Sequence, residues 1–149
     1  MQLLTAVSSD IPELCLLLDS LFIQEAEFKP DIELQALGLG AIIEGDGIGD
    51  ILVAKDAGQI IGMLNLLYTI STALGSRVAI LEDMVVAPQN RGLGVGSALL
   101  KYAIDFAKQK GCKRITLLTD NDNEAAHGFY QQHGFTESSM LVFRLFLDV

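Results

Sequence analysis

Residues 89–96 read QNRGLGVG, and they join the apolar run LEDMVV at residues 81–86 to a segment with helical periodicity. A glycine inside a regular element costs about 1 kcal/mol relative to alanine. Gly92, Gly94 and Gly96 at a helix entrance therefore mark a place where a partner approaches the backbone closely. The first N–H groups of a helix have no internal acceptor and its dipole favours an anion, so a strand, a glycine turn and a helix together suit phosphate. A P-loop requires GxxxxGK[ST], and the chain has no Gly-Lys pair. A dinucleotide fingerprint would place its third glycine at Ser97, and the strands before the loop read as antiparallel.

Outward from the loop, 149 residues suit one domain over positions 1–149 with a proper core. Half the residues are hydrophobic, yet the longest apolar candidate, IIGMLNLLYTIST, is interrupted by Gly62, Asn65 and Thr69. It falls short of the roughly 18 apolar residues that cross a bilayer. The N-terminal MQLLTAVSSD lacks the basic start and long apolar core of an export signal, which makes a cytoplasmic location the default expectation. A net charge of −9 argues against nucleic acid as the main partner and leaves room for a cationic substrate. Cys15 and Cys112 have no CxxC spacing, so neither a metal site nor a disulfide is expected.

LLTAV reads as a first strand, and Ile11, Leu14, Cys15, Leu18, Leu21 and Phe22 then form one face of an amphipathic helix. Asp10 and Glu13 have capping-box spacing, with Pro12 in the tolerated first turn. A weaker helix is expected around Ile32 to Ile43. Next comes a three-strand antiparallel meander, with turns at Asp56–Gln59 and around Ala73 to Ser76. After the glycine loop, Ser97 to Lys110 is helical with Leu100, Ala103, Ile104 and Ala107 inward, closed by Lys108, Lys110 and Gly111. RITLLT reads as a strand, Asn121 to Asn123 as caps for a helix carrying Ala126, Phe129 and Tyr130, and SMLVFRLFLD as a final strand.

Gln89-Asn90-Arg91-Gly92-Leu93-Gly94 resembles the (Arg/Gln)-x-x-Gly-x-(Gly/Ala) motif of the GNAT superfamily of N-acetyltransferases, placed as there after a strand ending Val85-Val86-Ala87-Pro88. A second block, Asn123, Ala126, Phe129, Tyr130, Gly134 and Phe135, fits that family's Asn-x-x-Ala-x-x-x-Tyr-x-x-x-Gly-Phe pattern, and the element order fits nearly the whole chain. The resemblance implies a mixed α/β (α+β) fold, a mostly antiparallel mixed sheet of about six to seven strands flanked by about four helices. It implies acetyl-CoA as cosubstrate, with no metal. The backbone of Arg91, Gly92, Leu93, Gly94, Val95, Gly96 and Ser97 would hold its pyrophosphate, and Gln89, Asn90 and Arg91 would add contacts. In that family the strand before the loop splays from its neighbour at a bulge, so Met84, Val85 and Val86 would face the pantetheine arm and thioester. Asn123, Ala126 and Tyr130 complete the implied cofactor contacts.

Acetyl transfer to an amine needs a neutral amine, a polarised carbonyl and a proton for the departing thiolate. Tyr130 stands where the family's usual general acid stands. Glu82 and Asp83 are the candidate bases, and LEDMVV resembles the corresponding strand of glucosamine-phosphate acetyltransferases, where acidic residues orient or deprotonate the amine. Strand alternation puts one of the two toward the acceptor and the other toward the helix-packed side. Parity with Met84 and Val86 favours Glu82, a bulge would break that parity, and proton removal through water suits either. His127 and His133 are six apart and share no helical face, so they read as surface histidines.

Glu25 and Glu27 lie where the family's acceptor loop lies and either attract a cationic amine or form a solvated acidic stretch. The expected partner is an amine-bearing small molecule or peptide, with neither nucleic acid nor membrane. A phosphosugar is disfavoured because residues 20–50 contain one basic side chain, Lys29. Two other readings stay open: a noncatalytic acetyl-CoA-binding or sensor module, and an acetyltransferase for protein N-termini or lysines. The apolar end, VFRLFLDV, suggests a homodimer.

Overall fold

The computed structural model describes residues 1–25 and 29–148. Strands β1 (Gln2–Thr5), β2 (Gly49–Asp56), β3 (Gln59–Ser71), β4 (Ser76–Val86) and β5 (Ile115–Leu117) form one sheet in chain order. The first four pair antiparallel and β5 joins β4 in parallel. Helices α1 (Ile11–Gln24) and α2 (Ile32–Glu44) precede the meander, whereas α3 (Val95–Gln109) and α4 (Glu124–Gln132) follow it.

The strand pleat sorts the core into two layers. On one face Ile51, Val53 and Met63 pack with Leu14, Leu17, Leu18 and Leu39 of α1 and α2. On the other, Leu52, Leu64, Leu66, Ala79 and Leu81 pack with Leu99, Leu100, Ala103 and Ala107 of α3. Central strands read as continuous apolar runs because both faces are covered. The β2–β3 turn places Ala57 and Gly58 at φ 50° and 79°, the left-handed pair that matches hairpin twist.

The sheet has five strands among the described residues, fewer than expected, and residues 136–148 form no strand. SMLVFRLFLD has strand composition, but a strand needs a neighbour for its backbone groups, and neighbours are a tertiary matter. Its Met140, Leu141, Phe143, Leu145 and Leu147 are exposed. The Asp10–Glu13 capping box also does not form. Buried Asp10 instead accepts hydrogen bonds from Val7 N–H (2.9 Å) and Lys55 Nζ (3.1 Å), and Glu13 accepts from Ile60 N–H (3.0 Å). Through Lys55 and Ile60 the two carboxylates tie the start of α1 to β2 and β3.

Candidate active site

The decisive local feature is a bulge in β4. Asn65 pairs with Glu82 and Met63 with Val85, so Asp83 and Met84 together oppose Leu64 alone. Asp83 takes φ 56°, a left-handed conformation that aspartate tolerates better than most residues. Before the bulge Ala79 and Leu81 face α3; after it Met84 packs on that side and Val85 faces α1. Glu82 and Asp83 consequently line one cleft, against the expectation that they face opposite sides. The extra residue also separates Glu82 from the parity of Met84 and Val86, which removes the reason for preferring it.

That cleft, about 350 Å³, lies between α1, α2 and the bulge. Its walls include Leu18, Phe22, Leu34, Leu39 and Ile42, and its floor includes Asn65. The walls are held at fixed spacing by buried Gln35, whose Nε2 donates to the Cys15 carbonyl (3.1 Å) and to Asp19 (3.0 Å) while its Oε1 accepts from Asp31 N–H (2.7 Å). Asn65 Nδ2 donates to the Asp83 carboxylate at 2.8 Å. Burial, with Glu82 and then Glu25 adding negative charge, pushes Asp83 up to about 6 even though the Asn65 hydrogen bond pulls the other way. Glu25 is raised by burial and by Asp120 and Glu82, which places it in the same acidic group. Glu27 lies outside the described residues.

On the other side of β4, pairing with β5 ends at Leu81–Leu117 although β4 continues to Val86. Beyond Leu81 that edge of β4 has no ladder partner among the described residues. Val86 spends its carbonyl on Arg91 Nε (3.1 Å), and the side chain of Val85 is buried, so Val85 has only backbone to offer a ligand. Gln89 and Asn90 sit in a short 3-10 turn, Pro88–Asn90. Gly92 and Gly94 follow at φ 77° and 84°, and a Cβ at either would meet nothing within 4 Å, which leaves room for a ligand against the backbone. Leu93 is exposed and Val95 buried. The first helical bond runs from Ala98 N–H to the Gly94 carbonyl at 3.1 Å, so the N–H groups of Val95, Gly96 and Ser97 have no helical acceptor. Gly94 caps the helix without a side chain. These groups fit the phosphate end of coenzyme A, an anion that binds through backbone donors.

Asn123 caps α4, accepting from Ala126 N–H at 3.1 Å, so both residues act first through the helix they start. Tyr130 packs edge-on against Phe129 (5.3 Å) and Phe135 (5.7 Å), and burial raises its phenol. It shares the α3-side layer with Met84, next to the bulge. His127 contacts the Asp120 carbonyl and His133 the Phe129 carbonyl. Sequence reasoning missed Asn65 and Gln35; Asn65 stands out as a lone amide in an apolar strand, but nothing in its spacing assigns it a partner.

The acetyltransferase (GNAT) family model matches residues 12–135. An uncharacterised N-acetyltransferase of Bacillus subtilis is 39% identical over 92 residues, 62% of this chain and 62% of the relative. An aminoalkylphosphonate N-acetyltransferase of Salmonella typhimurium is 31% identical over 81 residues, 54% of this chain and 53% of the relative. The matched stretches thus span between half and two thirds of these curated relatives. Among solved structures, an acetyltransferase of Trypanosoma brucei superposes with a TM-score of 0.73 at 26% identity, covering 98% of this chain and 99% of that one. No helix among the described residues is long and apolar enough to cross a membrane.

Proposed function

As the chain belongs to the acetyltransferase (GNAT) family, we propose that it moves the acetyl group of acetyl-CoA directly to a primary amine of a small molecule or peptide, through a ternary complex within one domain. The observation that carries this reading is the opening of β4 from β5 after Leu81, beside the bare N-terminus of α3 and directly behind the acidic cleft.

Acetyl-CoA supplies an activated thioester carbonyl; the reaction forms the amide C–N bond, breaks the C–S bond, takes one proton from the amine and gives one to the thiolate. Asp83 accepts the amine proton, directly or through water. A carboxylate held near 6 is ionised at neutral pH yet lies closer to working pH than an ordinary aspartate, which suits a general base. Tyr130, raised by burial, stays a protonated phenol and donates toward the thiolate. The environments of the two groups thus separate acid from base. Glu82 is exposed and adds negative charge at the cleft mouth. Residues 92–97 and Arg91 hold the pyrophosphate, and the open edge of β4 at Met84 and Val86 guides the arm. The same reading includes a homodimer through the apolar C-terminal segment.

Two measurements test it together. Acetyl-CoA is expected to raise the melting temperature by mass action, and thiol release should depend on added amine. No thermal shift with acetyl-CoA, or release unaffected by every amine, would sink the proposal.

A further inference from the structure

Asn65 is 2% exposed, and its Oδ1 is a buried side-chain oxygen with no hydrogen-bond partner among the described residues. An orphaned buried acceptor costs about 1–3 kcal/mol and calls for an explanation. Reversing the amide does not relieve it, because Oδ1 would then face the Asp83 carboxylate that Nδ2 now meets at 2.8 Å. The acceptor is therefore fixed in place on a residue that lines the cleft, with no donor among the described residues.

The surroundings limit what donor fits. Above Asn65 the walls are aliphatic and aromatic side chains of α1 and α2, with Gly38 leaving extra room. The ionisable groups on the lining are Glu82, Asp83, Asp31 and Lys29, with Glu25 close to Glu82. The Asp31 carboxylate is engaged in capping α2, and Lys29 is the one described cation on the lining. A substrate carboxylate or phosphate would meet net negative charge, and the hydroxyls of a sugar would meet hydrocarbon. An ammonium on an apolar body matches both ends of the cleft.

Resting on the acetyl-transfer reading, we propose that the acceptor is a primary amine carried on an uncharged, wholly apolar alkyl or arylalkyl body, and that Asn65 selects it. The amine nitrogen donates to Asn65 Oδ1 and faces Asp83, while the apolar body lies along Leu18, Leu39 and Ile42. Asn65 is both a specificity residue and the positioning residue that aims the nitrogen past the bulge toward the open edge of β4. The hydrogen bond from Nδ2 keeps the Asp83 carboxylate turned to the same nitrogen.

The test uses the full chain with 2-phenylethylamine and n-hexylamine, compared with phenylalanine, glucosamine and 1,4-diaminobutane. Each apolar amine is expected to raise the melting temperature in the absence of acetyl-CoA, and to release thiol with kcat/KM about tenfold or more above the comparison amines, the discrimination a mismatched buried polar group gives. Asn65→Ala should raise KM for the apolar amines about tenfold with the KM for acetyl-CoA unchanged. If that variant does not fold, Gly38→Leu decides: a Cβ there meets nothing within 4 Å and Gly38 lines the cleft, so the larger side chain is directed at narrowing it. Its KM for 2-phenylethylamine should rise and its acetyl-CoA KM stay; no change in either overturns the assignment. Turnover confined to phenylalanine, glucosamine or the diamine overturns it and leaves acetyl transfer standing. Binding of the apolar amines without thiol release from acetyl-CoA in the presence of any amine keeps the cleft as an apolar-amine site and removes the acetyl-transfer reading. The absence of both binding and release overturns the proposal outright.

Discussion

Asp83 carries two separable consequences of one half-buried carboxylate. Its value of about 6 in the folded chain lies above the ordinary 3.8, so the folded state holds the proton more tightly than the unfolded one. Stability contributed by this group is therefore full below the ordinary value, falls as pH rises between the two values, and is flat above them. Asp83→Asn removes that loss and keeps a side chain suited to φ 56°, so its melting temperature relative to the native protein should climb from pH 4 to pH 6 and then level. A difference independent of pH would show that Asp83 is not the group responsible. In the same variant kcat/KM should fall by about 10²-fold or more and lose its acid limb near pH 6, whereas Glu82→Gln should stay within about tenfold. Tyr130→Phe keeps the ring packed on Phe129 and Phe135, so a drop of about 10²-fold in kcat with an unchanged melting temperature is the expected pattern. Full turnover at every pH would end its assignment as acid. The sequence marked Glu82 and Asp83 as an acidic pair in an apolar strand; that both line one cleft was not legible, because a bulge one residue long reverses the faces.

Elements set where those residues stand. The glycine loop works through backbone shape: Gly94→Ala forces a Cβ onto φ 84°, a strain of about 1–2 kcal/mol, and crowds the open space beside the uncapped N–H groups. The KM for acetyl-CoA should rise several-fold with the acceptor KM little altered; an unchanged acetyl-CoA KM would remove the loop from the cofactor site. Asn123→Ala removes the α4 cap at about 1 kcal/mol. Because α4 carries Tyr130, hydrogen exchange across residues 124–132 should quicken and kcat should fall with it, and a fall in kcat without faster exchange would point to a direct role for Asn123 in the site. Helix periodicity located α1 and α3 to within two residues or so, since a face of leucines every third or fourth position has few other homes. The hairpin at Ala57 and Gly58 was equally plain, because its turn chemistry is local.

At the scale of the whole molecule the unfinished feature is the C-terminal segment. Residues 140–147 include Phe143 at 92% exposure and Leu141 at 84%, and the β5 edge of the sheet has no further neighbour among the described residues. A second copy of the chain is the proposed occupant, since the same apolar segment on a twofold mate would cover both exposed faces at once. Size-exclusion chromatography with light scattering should give a dimer that Phe143→Asp with Leu145→Asp converts to monomer; a native monomer at every concentration would end the proposal.

By itself the sequence determined the order of the elements as far as α4, the strand-glycine-helix junction and the placing of Tyr130 on that last helix, because periodicity, turn residues and backbone freedom act over a few neighbours. The tertiary structure decided the rest. It turned Glu82 and Asp83 into one cleft, left Asn65 Oδ1 buried without a partner among the described residues, ended the β4–β5 pairing at Leu81, and left residues 136–148 outside the sheet. Each of these depends on which distant segment lies alongside, and pairing, burial and desolvation exist only once that neighbour is in place.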